Sequence, residues 1–311
     1  MDVRLVAIDL DGTLLNSEKQ VTEASAAVLR AAWEERRVWI VLASARPPRS
    51  VLPFYEVLDL QAPMINYNGA LVFDPHQKRA LLHRPIPLET AWEIVELARE
   101  MYPRVLVSAE HLDHWYTDRV DPAYTVESAL TSEPDVVSPI RQWLKREVTK
   151  LLLLGDPEPL EGIRQEVLRR LPYQVSVVST EGHVLQIMHA TASKSQALRT
   201  VAAELGVDRT QVVAIGDNSN DVGMLQWAGI GVAMENASPR ALAVADVVTD
   251  HHDADGAANA IRRILHGEIP GPADKTAGKS GDKGGGKKTP SKRRGLRSLL
   301  GRRRRDAKGG S

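Results

Sequence analysis

Short apolar runs alternate with stretches of helical periodicity over the first 80 residues of the chain. Residues 3–8 and 38–43 are continuous apolar runs apart from Arg4, a pattern typical of strands that are buried on both faces of a parallel sheet. Between them, residues 23–36 place apolar side chains at helical spacing. Alternation of strand and helix predicts a doubly wound α/β sheet.

The same alternation continues through a helix at 48–57, a strand at 64–70 and a short strand at 71–73, and it returns near residue 188. The helices predicted in the later part are 195–205, 221–228, 239–245 and 256–265, and the strands are 211–215, 230–233 and 247–248. The α/β pattern therefore occupies both ends of this region. We expect residues 1–82 and 188–266 to form one core domain.

Residues 83–187 follow a different pattern, in which hairpins lie beside helices. The predicted strands are 105–107, 114–116, 149–154, 174–179 and 183–188, and the predicted helices are 85–102 and 159–171. Hairpins next to helices are typical of α+β modules. The segment 83–187 is therefore predicted to be an α+β cap domain inserted into the α/β core.

Polar side chains follow three of the predicted core strands. Asp9 and Asp11 come after the first strand, Ser44 after the second, and Asp217 and Asp221 after the first strand beyond the cap. Because the carboxyl ends of parallel strands meet at one edge of a sheet, we expect these side chains to lie together. Carboxylates gathered there repel one another unless a cation binds them. Hard oxygen ligands, with no His or Cys among them, suit Mg²⁺.

These residue types also suit phosphoryl transfer. An Asp carboxylate can attack phosphorus and form an aspartyl-phosphate, which water then hydrolyses, while a second acid moves the protons. Lys194, which opens the first helix after the cap, and the hydroxyl of Ser44 are natural partners for the phosphate. Taken singly, Ser44 also fits a helix cap, Lys194 a surface lysine, and the acids fit turns. Their joint order along the chain favours the site.

The motifs resemble those of the haloacid dehalogenase superfamily, specifically the Cof-type phosphatases of subfamily IIB. The matching segments are Asp9-Leu10-Asp11-Gly12-Thr13, Ser44-Ala45-Arg46-Pro47, Asn66-Tyr67-Asn68-Gly69-Ala70, Ser193-Lys194 and Gly216-Asp217-Asn218-Ser219-Asn220-Asp221. Ser44-Ala45 stands where the family usually has Thr-Gly, so the hydroxyl is kept and the glycine is not. The resemblance covers residues 3–266. It implies a Rossmann-like core with a larger inserted cap of type C2B.

The resemblance also implies a role for each matching residue. Asp9 would be the nucleophile and a Mg²⁺ ligand, and Asp11 the general acid and base, with its backbone carbonyl on the metal. Asp217 would be a direct metal ligand, and Asp221 would support the metal directly or through water. The residues implied to hold the phosphoryl group are Ser44, Lys194 and Asn220.

The function that follows from this resemblance is a Mg²⁺-dependent phosphatase. Its expected substrates are small phosphorylated metabolites, such as sugar phosphates or phosphorylated cofactors. One alternative is a phosphomutase of the same fold, which would pass the phosphoryl group to another hydroxyl. The other is a polyanion-binding protein that acts through its C-terminal segment. The sequence leaves the identity of the substrate and the oligomeric state open.

Composition limits the number of domains, the kinds of metal site and the cellular location that we expect. The chain has 311 residues, of which 43% are apolar and 26% charged, a balance typical of globular proteins with one large or two ordinary domains. It has no Cys, which excludes disulfides and thiolate metal sites. No apolar run reaches the ~20 residues of a membrane span, and the N-terminus has no signal-peptide layout. A cytoplasmic location is expected.

A formal net charge of zero conceals an uneven distribution. Residues 267–311 carry 14 basic and 4 acidic side chains, whereas the rest carries 26 basic and 36 acidic ones. This tail is rich in Gly, Lys, Ser and Pro, so it is predicted to be disordered. We hypothesise weak, salt-sensitive contacts of residues 270–311 with nucleic acid or anionic membranes. A solvated tail without a specific partner is the equal alternative.

Overall fold

Strands and helices alternate along the chain in the computed structural model, which describes residues 2–124, 132–180 and 182–269. The strands are β1 (Leu5–Ile8), β2 (Trp39–Leu42), β3 (Met64–Asn66), β4 (Leu71–Asp74), β5 (Arg79–His83), β6 (Leu106–His111), β7 (His114–Thr117), β8 (Val136–Val137), β9 (Lys150–Leu154), β10 (Val175–Thr180), β11 (Val184–His189), β12 (Val212–Gly216), β13 (Ile230–Ala233) and β14 (Val247–Val248). The α-helices are α1 (Glu23–Arg36), α2 (Pro48–Val57), α3 (Leu88–Met101), α4 (Ile140–Trp143), α5 (Pro157–Arg170), α6 (Lys194–Glu204), α7 (Val222–Trp227), α8 (Pro239–Leu242) and α9 (Gly256–Leu265).

The core is a parallel sheet with helices on both faces. Its strand order is β14-β13-β12-β1-β2, and every neighbouring pair is parallel. Side chains alternate across β1, so Val6 and Ile8 pack with α1, α2 and α9, whereas Leu5 and Ala7 pack with α6 and α7. All four of these side chains are buried, which explains the continuous apolar run. The predicted doubly wound α/β core is confirmed.

A second sheet is built from the chain between the two parts of the core sheet. Its order is β10-β11-β9-β6-β7-β8, and all of these pairs except β7–β8 are antiparallel. Helices α3 and α5 cover one face, where Ile94 and Ile163 pack with Val107 and Leu151. This arrangement agrees with an inserted α+β cap. The domain limits 1–82, 83–187 and 188–266 stay predictions.

Several short elements differ from the expected pattern. The strands β5 and β8 and the helix α4 were not predicted, because two to five residues are too few to establish a period. Helix α3 begins at Leu88, directly after Pro87, rather than at residue 85. Strand β6 continues to His111, so Glu110 lies in a strand and not in a turn.

The C-terminal prediction falls largely outside the described residues. The basic tail was placed at 267–311, and everything from residue 270 onward, with its hypothesised polyanion contacts, lies outside them. The preceding chain belongs to one compact unit, Met1–Ala273. Among the helices of the described ranges, none has both the length and the apolar character to cross a bilayer.

Candidate active site

Asp9 lies at the carboxyl edge of the core sheet, directly after β1. Its backbone N–H donates to the carbonyl of Ile215 at 3.0 Å, which fixes it beside the end of β12. The residue is only 6% exposed. A carboxylate this buried needs partners, because water cannot stabilise its charge.

Lys194 is the partner of this carboxylate. Helix α6 begins at Lys194, after the N-cap residue Ser193, and the lysine side chain is fully buried. Its Nζ donates to Asp9 Oδ1 at 2.5 Å and to Asp221 Oδ1 at 2.7 Å. Burial alone would lower the pKa of Lys194, but the negative charges of Asp221 and Asp9 raise it. The ammonium therefore stays charged between two carboxylates, and the surface-lysine alternative is excluded.

The turn after β12 supplies the other two carboxylates. Asp221 is buried, and its Oδ2 accepts the backbone N–H groups of Asp217 at 3.1 Å and Asn218 at 3.0 Å. Asp217 accepts a hydrogen bond from the hydroxyl of Thr13 at 3.2 Å. Oxygen atoms of Asp9, Asp217 and Asp221 lie within 4.8 Å of one another. The turn after β1 and the turn after β12 thus meet as predicted.

Negative charge exceeds positive charge inside this cluster. Burial, reinforced by Asp221, raises the pKa of Asp217, and burial raises the pKa of Asp9 well above its usual value despite the nearby Lys194. In the part of the chain that the structure describes, only one ammonium, which pairs with Asp9 and Asp221, lies among the three carboxylates, and every possible metal ligand is a hard oxygen atom. This donor set fits a divalent cation such as Mg²⁺.

Asp11 lies apart from these acids and is held by basic side chains. Its carboxylate accepts hydrogen bonds from Arg46 Nε at 2.7 Å and Nη2 at 2.6 Å, and from Lys19 Nζ at 2.7 Å. Burial alone would raise the pKa of Asp11, but these bonds from Arg46 and Lys19 lower it. In this arrangement Asp11 is ionised at neutral pH.

This ion pair predicts a specific pH dependence of stability. Because the folded pKa of Asp11 is lowered, its stabilisation is present above the unfolded pKa of about 3.9 and is lost as the pH falls through the folded value. In EDTA, wild type should therefore melt above Asp11→Asn at pH 6, and the gap should close in acid. A gap that is constant from pH 6 to pH 2 would contradict the prediction.

Ser44 is positioned by backbone hydrogen bonds to β3 and to the turn after it. Its N–H donates to the carbonyl of Ile65 at 2.8 Å, and its carbonyl accepts the N–H of Asn68 at 3.0 Å. Its hydroxyl accepts the N–H of Arg46 at 3.1 Å. Ser44 is buried and does not cap helix α2, whose N-cap is Pro47. The helix-cap alternative for Ser44 is therefore wrong.

Asn220 is exposed and is oriented by the same turn. Its Nδ2 donates to Asn68 Oδ1 at 2.8 Å. The turn is a 3₁₀ segment, Tyr67–Gly69, in which φ is 49° at Tyr67, 53° at Asn68 and 94° at Gly69. Left-handed backbone at two non-glycine residues is uncommon and tends to occur at functional sites. This strained turn links Ser44 to Asn220.

Gly69 allows the strained turn to touch the start of helix α6. A Cβ atom at this position would lie 2.2 Å from the carbonyl oxygen of Ser193. We expect Gly69→Ala to lower the free energy of unfolding by more than about 1 kcal/mol, since both φ and the contact forbid the side chain. Gly206 is the matched control, because its φ is 65° but nothing lies within 4 Å of its Cβ position. Urea unfolding that gives equal losses for Gly69→Ala and Gly206→Ala would contradict the close contact.

Apart from Asp11, which Arg46 and Lys19 hold, the predicted residues form two connected groups in the structure. Direct hydrogen bonds join Lys194 to Asp9 and Asp221, with Asp217 beside them, whereas Ser44 and Asn220 are joined through Asn68. The contacts made by Thr13, Arg46 and Asn68 were not predicted, although these residues lie in the matching motifs. Their place inside the matching motifs was the available signal.

Comparison with known proteins identifies the family. Residues 6–261 match the family model of the haloacid dehalogenase-like hydrolases. The pyridoxal phosphate phosphatase YbhA of Escherichia coli is 30% identical over 278 residues, which are 84% of this chain and 98% of that protein. The 5-amino-6-(5-phospho-D-ribitylamino)uracil phosphatase YitU of Bacillus subtilis is 27% identical over 273 residues, which are 84% and 97% of the two chains.

The same relationship appears in three dimensions. A crystal structure of a haloacid dehalogenase-like hydrolase from Bacteroides thetaiotaomicron superposes with a TM-score of 0.77 at 28% identity. The match covers 84% of this chain and 99% of that one, so it includes both the core sheet and the inserted sheet. With its fold and sequence both matched over most of its length, the chain belongs to the haloacid dehalogenase-like hydrolase family.

Proposed function

We propose that this protein is a Mg²⁺-dependent phosphatase that hydrolyses small phosphomonoesters through an aspartyl-phosphate on Asp9. The observation that carries the proposal is the cluster of two buried carboxylates, Asp9 and Asp221, on Lys194, with the half-buried Asp217 beside them. Family membership and the phosphatase names of the relatives support the same reaction class.

In this proposal, the phosphoryl group of the substrate lies beside Asp9. The hydroxyl of Ser44, the ammonium of Lys194 and the amide of Asn220 bind its oxygen atoms. Lys194 is already charged and fixed by Asp221, so it needs no reorganisation to receive an anion. The link through Asn68 holds Asn220 in place.

The first half of the reaction breaks the ester. An Oδ atom of Asp9 attacks phosphorus, the bond from phosphorus to the ester oxygen breaks, and the leaving alkoxide takes a proton from Asp11. Asp11 is ionised while Arg46 and Lys19 hold it. Substrate binding must therefore release these contacts, which raises the pKa of Asp11 and lets it gain the proton that it later donates.

The second half regenerates the enzyme. Asp11, now ionised, takes a proton from a water molecule, and the resulting hydroxide attacks phosphorus. The bond between phosphorus and Asp9 breaks, which restores the carboxylate and yields inorganic phosphate. Each cycle thus consumes one ester and one water and yields one alcohol and one phosphate.

A divalent cation fits the excess of carboxylates in this site. Asp9, Asp217 and Asp221, with the backbone carbonyl of Asp11, would hold Mg²⁺. When bound, Mg²⁺ would offset the repulsion between the anionic nucleophile and the anionic phosphoryl group. The protein's part is to keep these carboxylates together, which it does with Lys194 and the backbone amides that bind Asp221.

The test is phosphate release from a panel of phosphomonoesters by EDTA-treated protein, with and without added Mg²⁺. The panel includes pyridoxal phosphate and ribityl phosphates, because the named relatives act on such compounds. We expect turnover of a few compounds, and only with Mg²⁺. Turnover in EDTA would contradict the metal requirement. Conversion of a monoester to its isomer without free phosphate would instead establish the phosphomutase alternative.

A further inference from the structure

Lys150 places a cation on the face of the second sheet that α3 and α5 leave open. Side chains alternate along β9, so Leu151 and Leu153 pack among these helices, whereas Lys150, Leu152 and Leu154 lie on the opposite face. Lys150 is nevertheless only 6% exposed. A lysine so deeply buried is rare unless a counter-charge binds it.

The neighbouring carboxylate does not bind Lys150. Glu110 is the cross-strand neighbour of Lys150 in the β6–β9 pair, and it is fully buried. Its two oxygen atoms already accept hydrogen bonds from Arg49 Nη1 at 2.7 Å, from Arg49 Nη2 at 3.1 Å and from the hydroxyl of Tyr67 at 2.9 Å. The forked guanidinium and the hydroxyl thus occupy the carboxylate.

The N–H groups of the Lys150 ammonium therefore do not donate to Glu110. Within residues 2–124, 132–180 and 182–269, its Nζ has no hydrogen bond and no ion pair. Its contact is with the ring of Tyr67, whose centroid lies 5.2 Å away. An aromatic face attracts a cation but leaves its three N–H groups available. Burial lowers the pKa of Lys150, as expected for a charge that lacks a direct partner.

Tyr67 connects this ammonium to the candidate active site. Tyr67 opens the strained turn, and the next residue, Asn68, binds both the carbonyl of Ser44 and the side chain of Asn220. Lys150 therefore lies against the same turn that positions two of the proposed phosphoryl-binding residues. A substrate whose phosphoryl group is held at that turn has its leaving group nearby.

We propose that Lys150 binds an oxyanion on the leaving group of the substrate, either a carboxylate or a second phosphoryl group. The inference rests on the proposed phosphatase function and narrows its substrate class to phosphomonoesters that carry a second negative charge. A positive charge with three available donors, on a residue that is only 6% exposed, suits recognition of an oxyanion. With an apolar side chain at position 150, the folded protein would be more stable than it is with a buried cation. Binding of an anion explains why a cation is present there despite its effect on stability.

The experiment compares substrates that differ in this one charge. 3-Phosphoglycerate and glycerol 3-phosphate share a three-carbon skeleton, but only the first has a carboxylate. Fructose 1,6-bisphosphate and fructose 6-phosphate form the corresponding pair for a second phosphoryl group. We expect wild type to favour the anion-bearing member of at least one pair by about tenfold or more in kcat/KM. Which pair shows the preference distinguishes carboxylate from phosphate.

Lys150→Met tests the residue. The ratio of kcat/KM within the preferred pair should fall at least tenfold, mainly through a higher KM for the anion-bearing ester. Lys145→Met, at an exposed position of the same inserted segment, should leave the ratio unchanged. Because methionine removes a buried charge at similar length, the thermal midpoint of Lys150→Met should equal or exceed that of wild type.

Failure of this inference can be separated from failure of the proposed function. Turnover by wild type without preference in either pair, or a preference that Lys150→Met keeps, overturns the oxyanion site alone. A lower thermal midpoint with an unchanged ratio would make Lys150 a structural partner of Glu110. Absence of turnover for all four esters and for the wider panel, in a folded protein with Mg²⁺, overturns the phosphatase function and this inference with it.

Discussion

Asp9→Asn should abolish phosphate release, with kcat reduced by roughly 10³-fold or more. The amide has nearly the shape of the carboxylate but cannot attack phosphorus, so the covalent intermediate cannot form. Asp9 also faces Lys194 Nζ at 2.5 Å, and the amide oxygen can still accept that hydrogen bond. The loss should therefore appear in kcat while the fold persists.

The measurement is Mg²⁺-dependent phosphate release on the best ester of the panel, with thermal melting as the check on folding. Asp74→Asn is the matched control, because Asp74 is also a buried Asp of the core segment but accepts the N–H of Gln77 in a turn after β4. It should keep wild-type turnover. Substantial activity in folded Asp9→Asn would show that another group is the nucleophile.

Lys194→Met should lower both stability and turnover. In the metal-free protein, Asp9 and Asp221 would lose the ammonium that they share, and leaving buried carboxylates without a cation costs about 3–5 kcal/mol. Turnover should fall by about 10²–10³-fold, because a donor that binds the phosphoryl oxygen atoms in the transition state is removed. This variant tests the structural and the chemical role of one side chain together.

Urea unfolding in EDTA and in Mg²⁺ separates these two roles. Added Mg²⁺ should restore part of the lost stability, because a divalent cation can neutralise the carboxylates that Lys194 left. It should not restore turnover, since the phosphoryl contact is still missing. Lys145→Met, which removes an exposed lysine, should unfold like wild type in both buffers. A stable Lys194→Met protein in EDTA would mean that Asp9 and Asp221 do not depend on this cation.

Positions of the acids could be predicted from the sequence because strand ends carry spatial information. Asp9 and Asp217 each follow the carboxyl end of an apolar run. These runs are neighbouring parallel strands in the sheet, so the two carboxylates lie close together. Helix limits at Glu23–Arg36 and Gly256–Leu265 were also predicted correctly, since both helices have clear apolar periodicity. The neighbour relation of β1 and β12 converts a separation of about 200 residues into contact.

Side-chain pairing across loops could not be predicted in the same way. The ion pair between Arg46 and Asp11 depends on how the turns after β1 and β2 are oriented toward each other. A periodic pattern of apolar residues carries no information on that orientation. Glu110 and Lys150 are charged residues in strands, which sequence patterns assign to a solvated face. Both residues contact Tyr67, which lies in the turn after β3 in the separate sheet β3-β4-β5, so this arrangement emerges only from the assembled molecule.

The central position of β1 also has a consequence for the order in which the protein is made. Its neighbours are β2, which follows soon after it, and β12, which lies about 200 residues later. At roughly 5–20 residues per second, the ribosome needs about 10–40 s to deliver the second neighbour. For most of that interval the nascent chain carries Asp9 without Lys194, and for all of it without Asp221, on a strand whose other edge is open to pairing. We expect chaperone protection of the emerging N-terminal segment to matter most before residue 216 leaves the ribosome, because the cluster around Lys194 can form only after Asp221 has been synthesised.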